Sequence, residues 1–496
     1  MERDVVHVTG KTFKGRYVDS VALMRISDET RRVPGVSSAT LVLATAANRQ
    51  ALVEAGLWAP GAEGAGPDDL IIAVAAESEA AACAGLERAE ALLATRRPRA
   101  GPDAAESPCS ITAGARSAGA ASLAVVSVPG RYAVAEAHQA LSAGLHVFVF
   151  SDGVELADEA QLKQRARARD LLVMGPECGT SIINGVGVGF ANAVRRGAVG
   201  LVGASGTGLQ EVTTLVHRLG AGVSHAIGTG GRDLQAAVGG ITTLQALELL
   251  GADPRTRAVV IVSKPADDAI AGAVLEAASG LGKPVVACLL GWRGKVPAGV
   301  RAAPTLEEAA LAALDAIGME ARPLAGPKST RRPRGERSRP SSRRGRVHGL
   351  YTGGTLCEEA RAVVGDAAGR FVDFGAPEYT QGRPHPMIDP ELRNRAIAAT
   401  GDDPSAAVLL LDVVLGHCAH PDPAGAAAPG IREARTRAKR GRRQLPVVAH
   451  VVGTAEDPQR LAAQERTLRE LDVIVCPSNR LAAATARELA RGRDAR

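Results

Sequence analysis

Two stretches of the chain open in the same way: an apolar strand runs into a turn rich in glycine and threonine, and a helix follows. They are AVGLVGASGTGLQEV at 198–212 and RVHGLYTGGTLCEEA at 346–360. Parallel strands need a crossover connection between them, usually a helix, so repeated strand–turn–helix units are typical of α/β domains with parallel sheets. The repeat predicts two flavodoxin-like layers.

The 496 residues are too many for one hydrophobic core, so several domains are expected. Apolar strands alternate with helices every ten to fifteen residues from position 122 onwards, which favours parallel sheets. The fold class is therefore α/β, with these segments: a small ferredoxin-like α+β domain at 1–95, a linker at 96–121, a partial Rossmann-type domain at 122–197, a first flavodoxin-like domain at 198–325, a basic linker at 326–346 and a second flavodoxin-like domain at 347–496.

The net charge of +6 is concentrated in one segment. Residues 328–346 hold nine Lys/Arg and one Glu, a local charge of +8, so the remainder carries 6 − 8 = −2. This segment is rich in Pro, Ser and Gly, which predicts a disordered linker; a nucleic-acid-binding or partner-binding arm is the alternative. Aromatic residues make up only 2% of the chain, so stacking on bases is not expected.

Cysteine usage and hydropathy bear on the compartment. Seven cysteines are scattered without a CxxC pair, a pattern typical of a reducing environment. The N-terminus has no apolar signal core, and no apolar run reaches the roughly 18 residues of a membrane span. We expect a cytoplasmic protein without a membrane segment.

Two glycine turns have the chemistry of an anion site. A helix N-terminus presents unpaired N–H groups and partial positive charge, and glycine lets the backbone approach a phosphate or carboxylate. Ser205, Gly206, Thr207 and Gly208 follow one strand; Gly230, Gly231 and Arg232 follow the next. The alternative is structural: the glycines permit tight turns and Ser205 caps the helix. Two loops with Arg232 favour the anionic ligand.

A third turn, GPECGTSIING at 175–185, offers Thr180 and Asn184 as ligand-binding residues. Cys178 is a candidate nucleophile there, but no histidine lies between His146 and His217 to activate it locally. An inert thiol is the preferred interpretation.

Two loops of the last domain are dense in polar residues. The segment EYTQGRPHPMIDP at 378–390 supplies Arg383 and His385, framed by prolines that restrict the backbone. The other contains His417, Cys418, His420 and Asp422, whose spacing fits no standard zinc signature. We predict no metal site there and favour an anion- or partner-binding loop.

Six motifs in order, GPECGTSIING, GASGTGLQEV, IGTGGRDL, LYTGGTLCEEA, GRPHPMIDP and LLLDVVLG, resemble the FdrA family over nearly the whole chain. Those proteins are similar to the α subunit of succinyl-CoA synthetase and to NDP-forming acyl-CoA synthetases. The resemblance implies that 122–197 is a CoA-binding-type domain and that GASGTG and IGTGGRDL line a phosphate-transfer site. It also implies a hetero-oligomer, with CoA or a nucleotide as candidate ligands and Mg²⁺ as a candidate ion.

The sequence departs from the synthetases at their phosphate carrier. Succinyl-CoA synthetase carries phosphate on a histidine just after the strand here written PVVACLL, whereas this chain has no histidine between His225 and His348. The family's supporting glutamate is replaced around Lys264, and a lysine there suits phosphate binding. The glycine loop that holds the CoA phosphates is not recognisable in 96–121.

Some FdrA relatives resemble a subunit of oxamate carbamoyltransferase, which acts in allantoin (purine) breakdown. This likeness favours a subunit that handles an acyl or carbamoyl phosphate, with Arg232, Lys264 and His385 as predicted catalytic residues and Arg383 beside His385 on the acceptor carboxylate. A CoA ligase that uses a phosphate carrier on another subunit, and a regulatory subunit without activity, are the alternatives.

Overall fold

The computed structural model describes residues 7–16, 18, 20–95, 108–264, 266–326, 345–380 and 384–491. Of the predicted linkers, residues 96–107 and 327–344 lie outside these ranges, and the described part of the first linker contains a helix, Ile111–Ala118. The chain divides into two compact units, described separately below. One comprises Met1–Ser107 with Pro377–Asp389, and the other Pro108–Ala376 with Pro390–Arg496.

The first unit is the predicted ferredoxin-like α+β domain. Its central strand β3 lies between β1 and β2 and is antiparallel to both. All seven residues of β3 are buried because helices or loops cover both faces of the sheet: Ile72 packs in a cluster with Leu23, and Ile71 in one with Leu52. The elements are β1 (His7–Phe13), α1 (Ser20–Arg31), β2 (Val36–Leu43), α2 (Ala46–Glu54), β3 (Leu70–Ala76) and α3 (Glu79–Thr95).

The second unit begins with a parallel sheet of three strands in the order β4-β5-β6. This is the partial Rossmann-type domain expected from 122 onwards, and apolar side chains of α5 and α6 pack on it. Its elements are α4 (Ile111–Ala118), β4 (Leu123–Val126), α5 (Gly130–Ser142), β5 (His146–Val149), α6 (Leu156–Arg167) and β6 (Val173–Met174).

A seven-stranded sheet follows, in the order β13-β12-β11-β9-β10-β7-β8. The hairpin β7–β8 joins it through antiparallel pairing with β10, so the predicted boundary at 197 separates strands that share one sheet. The elements are β7 (Thr180–Ile183), β8 (Val186–Gly189), β9 (Arg196–Gly203), α7 (Gly206–Arg218), β10 (Val223–Gly228), α8 (Ile241–Ala252), β11 (Ala258–Ser263), α9 (Asp268–Ser279), β12 (Val285–Leu289), β13 (Val300–Ala302) and α10 (Leu306–Ala316).

The last sheet has five parallel strands in the order β15-β14-β16-β17-β18. Its elements are β14 (Arg346–Tyr351), α11 (Gly354–Val364), β15 (Gly369–Asp373), α12 (Pro377–Thr380, in the first unit), α13 (Glu391–Ala399), β16 (Ala406–Val414), α14 (Pro423–Arg440), β17 (Val447–Val452), α15 (Leu461–Glu470), β18 (Ile474–Cys476) and α16 (Asn479–Ala490).

Both large sheets contain the strand order 2-1-3-4-5 of flavodoxin-like folds. In the first half of the second unit, the seven-stranded sheet with its helices, this order is β10-β9-β11-β12-β13. In the second half, which begins at β14, it is the complete five-stranded sheet. The prediction of two flavodoxin-like domains is confirmed, and α7 and α11, which open the sequence repeat, occupy equivalent places.

The two halves are joined by reciprocal capping of helices. Glu211 of α7 accepts a hydrogen bond from the amide of Asn479, the first residue of α16 in the other half (3.2 Å). Glu359 of α11 accepts one from the amide of Leu306, the first residue of α10 (2.7 Å). Each carboxylate therefore satisfies an amide that has no acceptor within its own helix.

Further polar contacts complete this buried junction. Glu211 also pairs with His450 of β17 at 2.7 Å, and the side chain of Asn479 donates to Glu359 at 2.7 Å. Glu307 of α10 forms an ion pair with Arg480 of α16 at 3.0 Å. Because every charged group here has a partner, removal of one leaves another buried without compensation.

We predict that Glu211→Ala lowers the free energy of unfolding by about 3–5 kcal/mol, because it leaves Nε2 of His450 and the Asn479 amide without a partner in the interior. Chemical denaturation measures this change. The control is Glu433→Ala, which removes a partly exposed pair with Arg437 and is expected to cost about 0.5 kcal/mol or less. Equal effects of the two variants would contradict the role given to Glu211.

A second prediction concerns pH. Burial, with a further contribution from Glu211, raises the pKa of Glu359 to about 7. Between about pH 4.5 and 7 the folded chain keeps this proton while the unfolded chain releases it, so the group lowers stability by up to about 3 kcal/mol as pH rises. Glu359→Gln cannot ionise and should lose this component. Denaturation curves of both proteins across this pH range test it; parallel pH profiles would exclude it.

Candidate functional site

The start of α7 has the glycine-rich turn that the sequence predicts. Ser205 precedes the helix, and its Oγ accepts from the amide of Gly208 at 3.0 Å. The amides of Gly206 and Thr207, in the first turn, have no acceptor within the helix. Gly203 ends the strand before the turn, where a Cβ would lie 2.5 Å from the carbonyl oxygen of Val262. The turn is therefore set by close packing between strands.

Thr180 of β7 points at this helix start. Its side chain is buried, with 2% of the residue exposed, and its Oγ1 has no hydrogen-bond partner among the described residues. The same Oγ1 lies 3.6 Å from the position that a Cβ on Gly206 would occupy. A buried hydroxyl without a partner costs free energy, so its position beside a helix N-terminus makes this a candidate place for a ligand.

The start of α11 meets the start of α7. The Oγ atoms of Ser205 and Thr355 are 2.5 Å apart, and a Cβ on Gly353 would lie 2.8 Å from the side chain of Thr207. Gly353 precedes α11 and provides no side-chain cap. The turns before α7 and α11 are therefore in contact, and they bring two helix N-termini together at one candidate site.

Part of the second turn is already occupied by a carboxylate of the chain. Asp412, at the end of β16, accepts from the amides of Thr352 and Gly353 at 2.9 Å each, and Arg393 pairs with it at 2.8 Å. These two amides hold an internal anion. The positions left for an external anion are the first residues of the helices, Gly206–Thr207 and Gly354–Thr355.

Lys264 and Asp373 lie at the start of α11. A Cβ on Gly354 would overlap with both Lys264 Nζ and Asp373 Oδ2, so the two charged groups flank the same point. Lys264 makes no hydrogen bond or ion pair with any residue that the structure describes. Burial raises the pKa of Asp373 to about 6, an effect that the nearby Lys264 opposes. The predicted role of Lys264 on an anion fits this position.

Arg232, which the sequence analysis predicts as a catalytic residue, makes internal contacts. Its guanidinium pairs with Glu159 of α6 at 2.9 Å and donates to the carbonyl oxygen of Val154 at 2.9 Å. It therefore fastens the loop after β10 to the Rossmann-type domain, while its Nε has no hydrogen-bond partner among the described residues. The sequence could not show this because Glu159 lies far away along the chain.

Two of the neighbouring loop residues, Gly230 and Asp233, have structural roles. Gly230 has a φ of +86°, and a Cβ there would overlap with the carbonyl oxygen of Pro176, which explains its glycine. Gly231 has open space around it. Asp233 is buried and accepts from Lys163 at 2.7 Å and from Thr243 at 2.6 Å. The loop after β10 is thus held by internal charges.

Glu177, which the sequence analysis did not select, stands near the charged groups of this region. Burial raises its pKa, while Arg232 and Lys264 lower it. Glu177 has a φ of +56°, an uncommon conformation for a residue with a side chain. The sequence analysis considered its neighbour Cys178 instead, because cysteine is a common catalytic nucleophile.

One predicted binding residue, Asn184, does not lie at this location. Asn184 sits in the hairpin turn at the opposite end of the sheet, where its Oδ1 accepts from Arg255. Arg383 lies outside the described residues. His385 belongs to the first unit, where burial lowers its pKa to about 4.

The remaining candidates have local structural contacts. Cys178 is buried, which raises the pKa of its thiol to about 11 and makes it a poor nucleophile. Asp422 caps α14 by accepting from the amide of Gly425 at 3.0 Å. Within the described ranges, no cluster of three His, Cys, Asp or Glu side chains has the arrangement of a metal site.

Three family models match the chain. The model described as AllF, heavy metal-associated domain, matches residues 6–108. The CoA binding domain model matches 194–290, and the CoA-ligase model matches 350–489. The CoA-binding match falls on the first flavodoxin-like half, whereas we had expected that domain at 122–197.

Protein YahF of Escherichia coli (strain K12) is 38% identical over 500 residues, which cover 95% of this chain and 96% of YahF. The chain belongs to the YahF family. This family is similar in turn to CoA ligases: subunit α 1 of the ADP-forming succinate–CoA ligase of Archaeoglobus fulgidus is 29% identical over 175 residues. That match covers 34% of this chain and 57% of the subunit.

Other matches are also partial. Subunit SauD of the ADP-forming sulfoacetate-CoA ligase of Bilophila wadsworthia is 31% identical over 29% of this chain and 50% of the subunit. The chain therefore spans about half the length of these ligase subunits. A solved dinucleotide-forming acetyl-coenzyme A synthetase from Ca. Korarchaeum cryptofilum covers 75% of the chain and 82% of its own length, at 17% identity and a TM-score of 0.32.

Among the helices in the described ranges, none has both the length and the hydropathy required to cross a membrane.

The burial of the thiols leads to a prediction. Cys83, Cys109 and Cys418 are exposed, and the other four cysteines are buried. We expect Ellman's reagent to modify three thiols rapidly in the native protein and Cys178 only after denaturation, because a buried neutral thiol reacts slowly. Mass spectrometry of the labelled peptides identifies the sites. Rapid labelling of Cys178 would restore it as a candidate nucleophile.

Proposed function

We propose that the chain is a succinyl-CoA-synthetase α-like enzyme subunit whose site at the joined starts of α7 and α11 binds the phosphate of an acyl or carbamoyl phosphate. The observation that carries this proposal is the buried Oγ1 of Thr180, which lacks a partner and faces the start of α7. Lys264 adds a positive charge at the start of α11. Two helix dipoles and a cation favour a doubly charged phosphate over a neutral ligand.

The reaction that we propose is carbamoyl transfer to or from a small amide such as oxamate, as in purine (allantoin) breakdown. The amide nitrogen attacks the carbonyl carbon of carbamoyl phosphate, the bond from that carbon to the phosphate oxygen breaks, and phosphate leaves. The first turns of α7 and α11 and Lys264 would stabilise the charge on the departing phosphate. Such a transfer needs no histidine carrier, in keeping with the absence of histidine between His225 and His348.

The acceptor side of this reaction rests on the sequence alone. Arg383 and His385 stay as predicted partners of an acceptor carboxylate. Other subunits are expected to contribute, since the relatives named above are ligase subunits.

CoA ligation is the second candidate, because the CoA-binding and CoA-ligase models match this chain. These matches fall on the two flavodoxin-like domains, at 194–290 and 350–489.

The test is calorimetric titration of the full chain with carbamoyl phosphate, acetyl phosphate and CoA. We expect both acyl phosphates to bind, with Lys264→Met weakening them by about tenfold or more, as expected for loss of a charged contact. Thr180→Val removes one neutral hydrogen bond and should cost about two- to tenfold.

The matched control is Lys439→Met, which removes an exposed lysine from the last turn of α14 and should leave binding unchanged. Carbamoyl phosphate binding that survives Lys264→Met would place the anion elsewhere. CoA binding without acyl phosphate binding would favour the ligase over the transferase.

A further inference from the structure

The charges at the start of α11 are not balanced for a doubly charged oxyanion. Lys264 brings one positive charge and the two helix N-termini bring partial ones, but Asp373 brings a carboxylate to the same point. Lys264 and Asp373 form no direct ion pair in the described part of the chain. An ionised Asp373 would repel the anion that Lys264 attracts.

We propose that Asp373 is the acid–base residue of this site and takes up a proton when a doubly charged oxyanion binds beside Lys264. The inference rests on the proposed function and goes beyond it by assigning the proton transfer. Asp373 ends β15, and its Oδ1 accepts from the amide of Gly375 at 2.9 Å, which holds the carboxyl group in place. Its Oδ2 is left facing the start of α11.

The surroundings of Asp373 favour an exchangeable proton. The charged and titratable groups facing it are Lys264 at the end of β11, Asp412 at the end of β16, and Cys357 and Glu358 of α11. Burial, Asp412 and Glu358 raise the pKa of Asp373, and Lys264 lowers it, with the balance at about 6. A bound oxyanion adds negative charge and raises it further, towards neutrality.

The chemistry balances with Asp373 as the only proton carrier. The protonated Asp373 gives its proton to the departing phosphate oxygen as the bond from carbon to that oxygen breaks. The carboxylate that results receives the proton that the acceptor nitrogen loses as it forms its bond to the carbonyl carbon. The products are the carbamoylated amide and hydrogen phosphate, and the protonated Asp373 is regenerated.

Sulfate is the probe for this proposal because it stays doubly charged throughout the relevant pH range. Titration of the full chain with sulfate at about pH 7, in buffers of low and high ionisation enthalpy, gives the number of protons taken up on binding. We expect about 0.5–1 proton for the native chain, and an affinity that falls by up to about tenfold per pH unit above pH 6.

Asp373→Asn keeps an oxygen for the Gly375 amide and should bind sulfate at least as tightly, with no proton uptake and a flat pH profile. Glu177→Gln, the matched carboxylate, should retain the uptake. Thermal unfolding of each variant checks that the fold is intact.

Binding of sulfate by the native chain without proton uptake, or uptake that persists in Asp373→Asn, would overturn the assignment of Asp373 and leave the phosphate site standing. No sulfate binding by the native chain would overturn the phosphate site itself. If the Asn variant does not fold, proton uptake and pH dependence of the native chain still decide the proposal.

Discussion

The candidate site depends on two buried glutamates, one in each flavodoxin-like half, and each glutamate caps a helix of the other half. Glu211 and Glu359 occupy equivalent places in the two repeats, the sixth residues of α7 and α11, and each reaches the first amide of a helix in the opposite half. Helix N-termini and carboxylates attract one another strongly away from water. The reciprocal bonds fix the distance and orientation of α7 and α11, and their starting residues meet as a result.

The pairing is symmetric in geometry but not in chemistry. The sequence PVVA recurs at 284–287 and 446–449, and the next residue is Cys288 in the first half and His450 in the second. His450 pairs with Glu211, whereas Glu359 is held by Asn479. Burial, with a further contribution from Glu359, raises the pKa of Cys288. One glutamate therefore has a basic partner and the other an amide. The junction is specific to this order of the two halves.

The two halves also contribute different charges to the candidate site. Lys264 and Asp373 come from different halves, at the ends of β11 and β15, and both lie at the start of α11. Around the loop after β10, by contrast, charged side chains pair with other residues of the chain, as Arg232 does with Glu159. Loss of one member of a buried charge pair destabilises the fold, while a charge without a partner beside helix N-termini is available to a ligand.

The sequence by itself determined the α/β class, the two flavodoxin-like halves and the place of Ser205–Gly208 at a helix start. Strand and helix periodicity and turn chemistry are local properties of the chain, so these predictions needed no knowledge of contacts. Only the tertiary structure decided that Arg232 serves the fold, that Asn184 lies at the far end of the sheet, and that Asp373 stands beside Lys264. These outcomes depend on residues distant in sequence, because a side chain's charge acts on whatever folding places within a few ångströms of it.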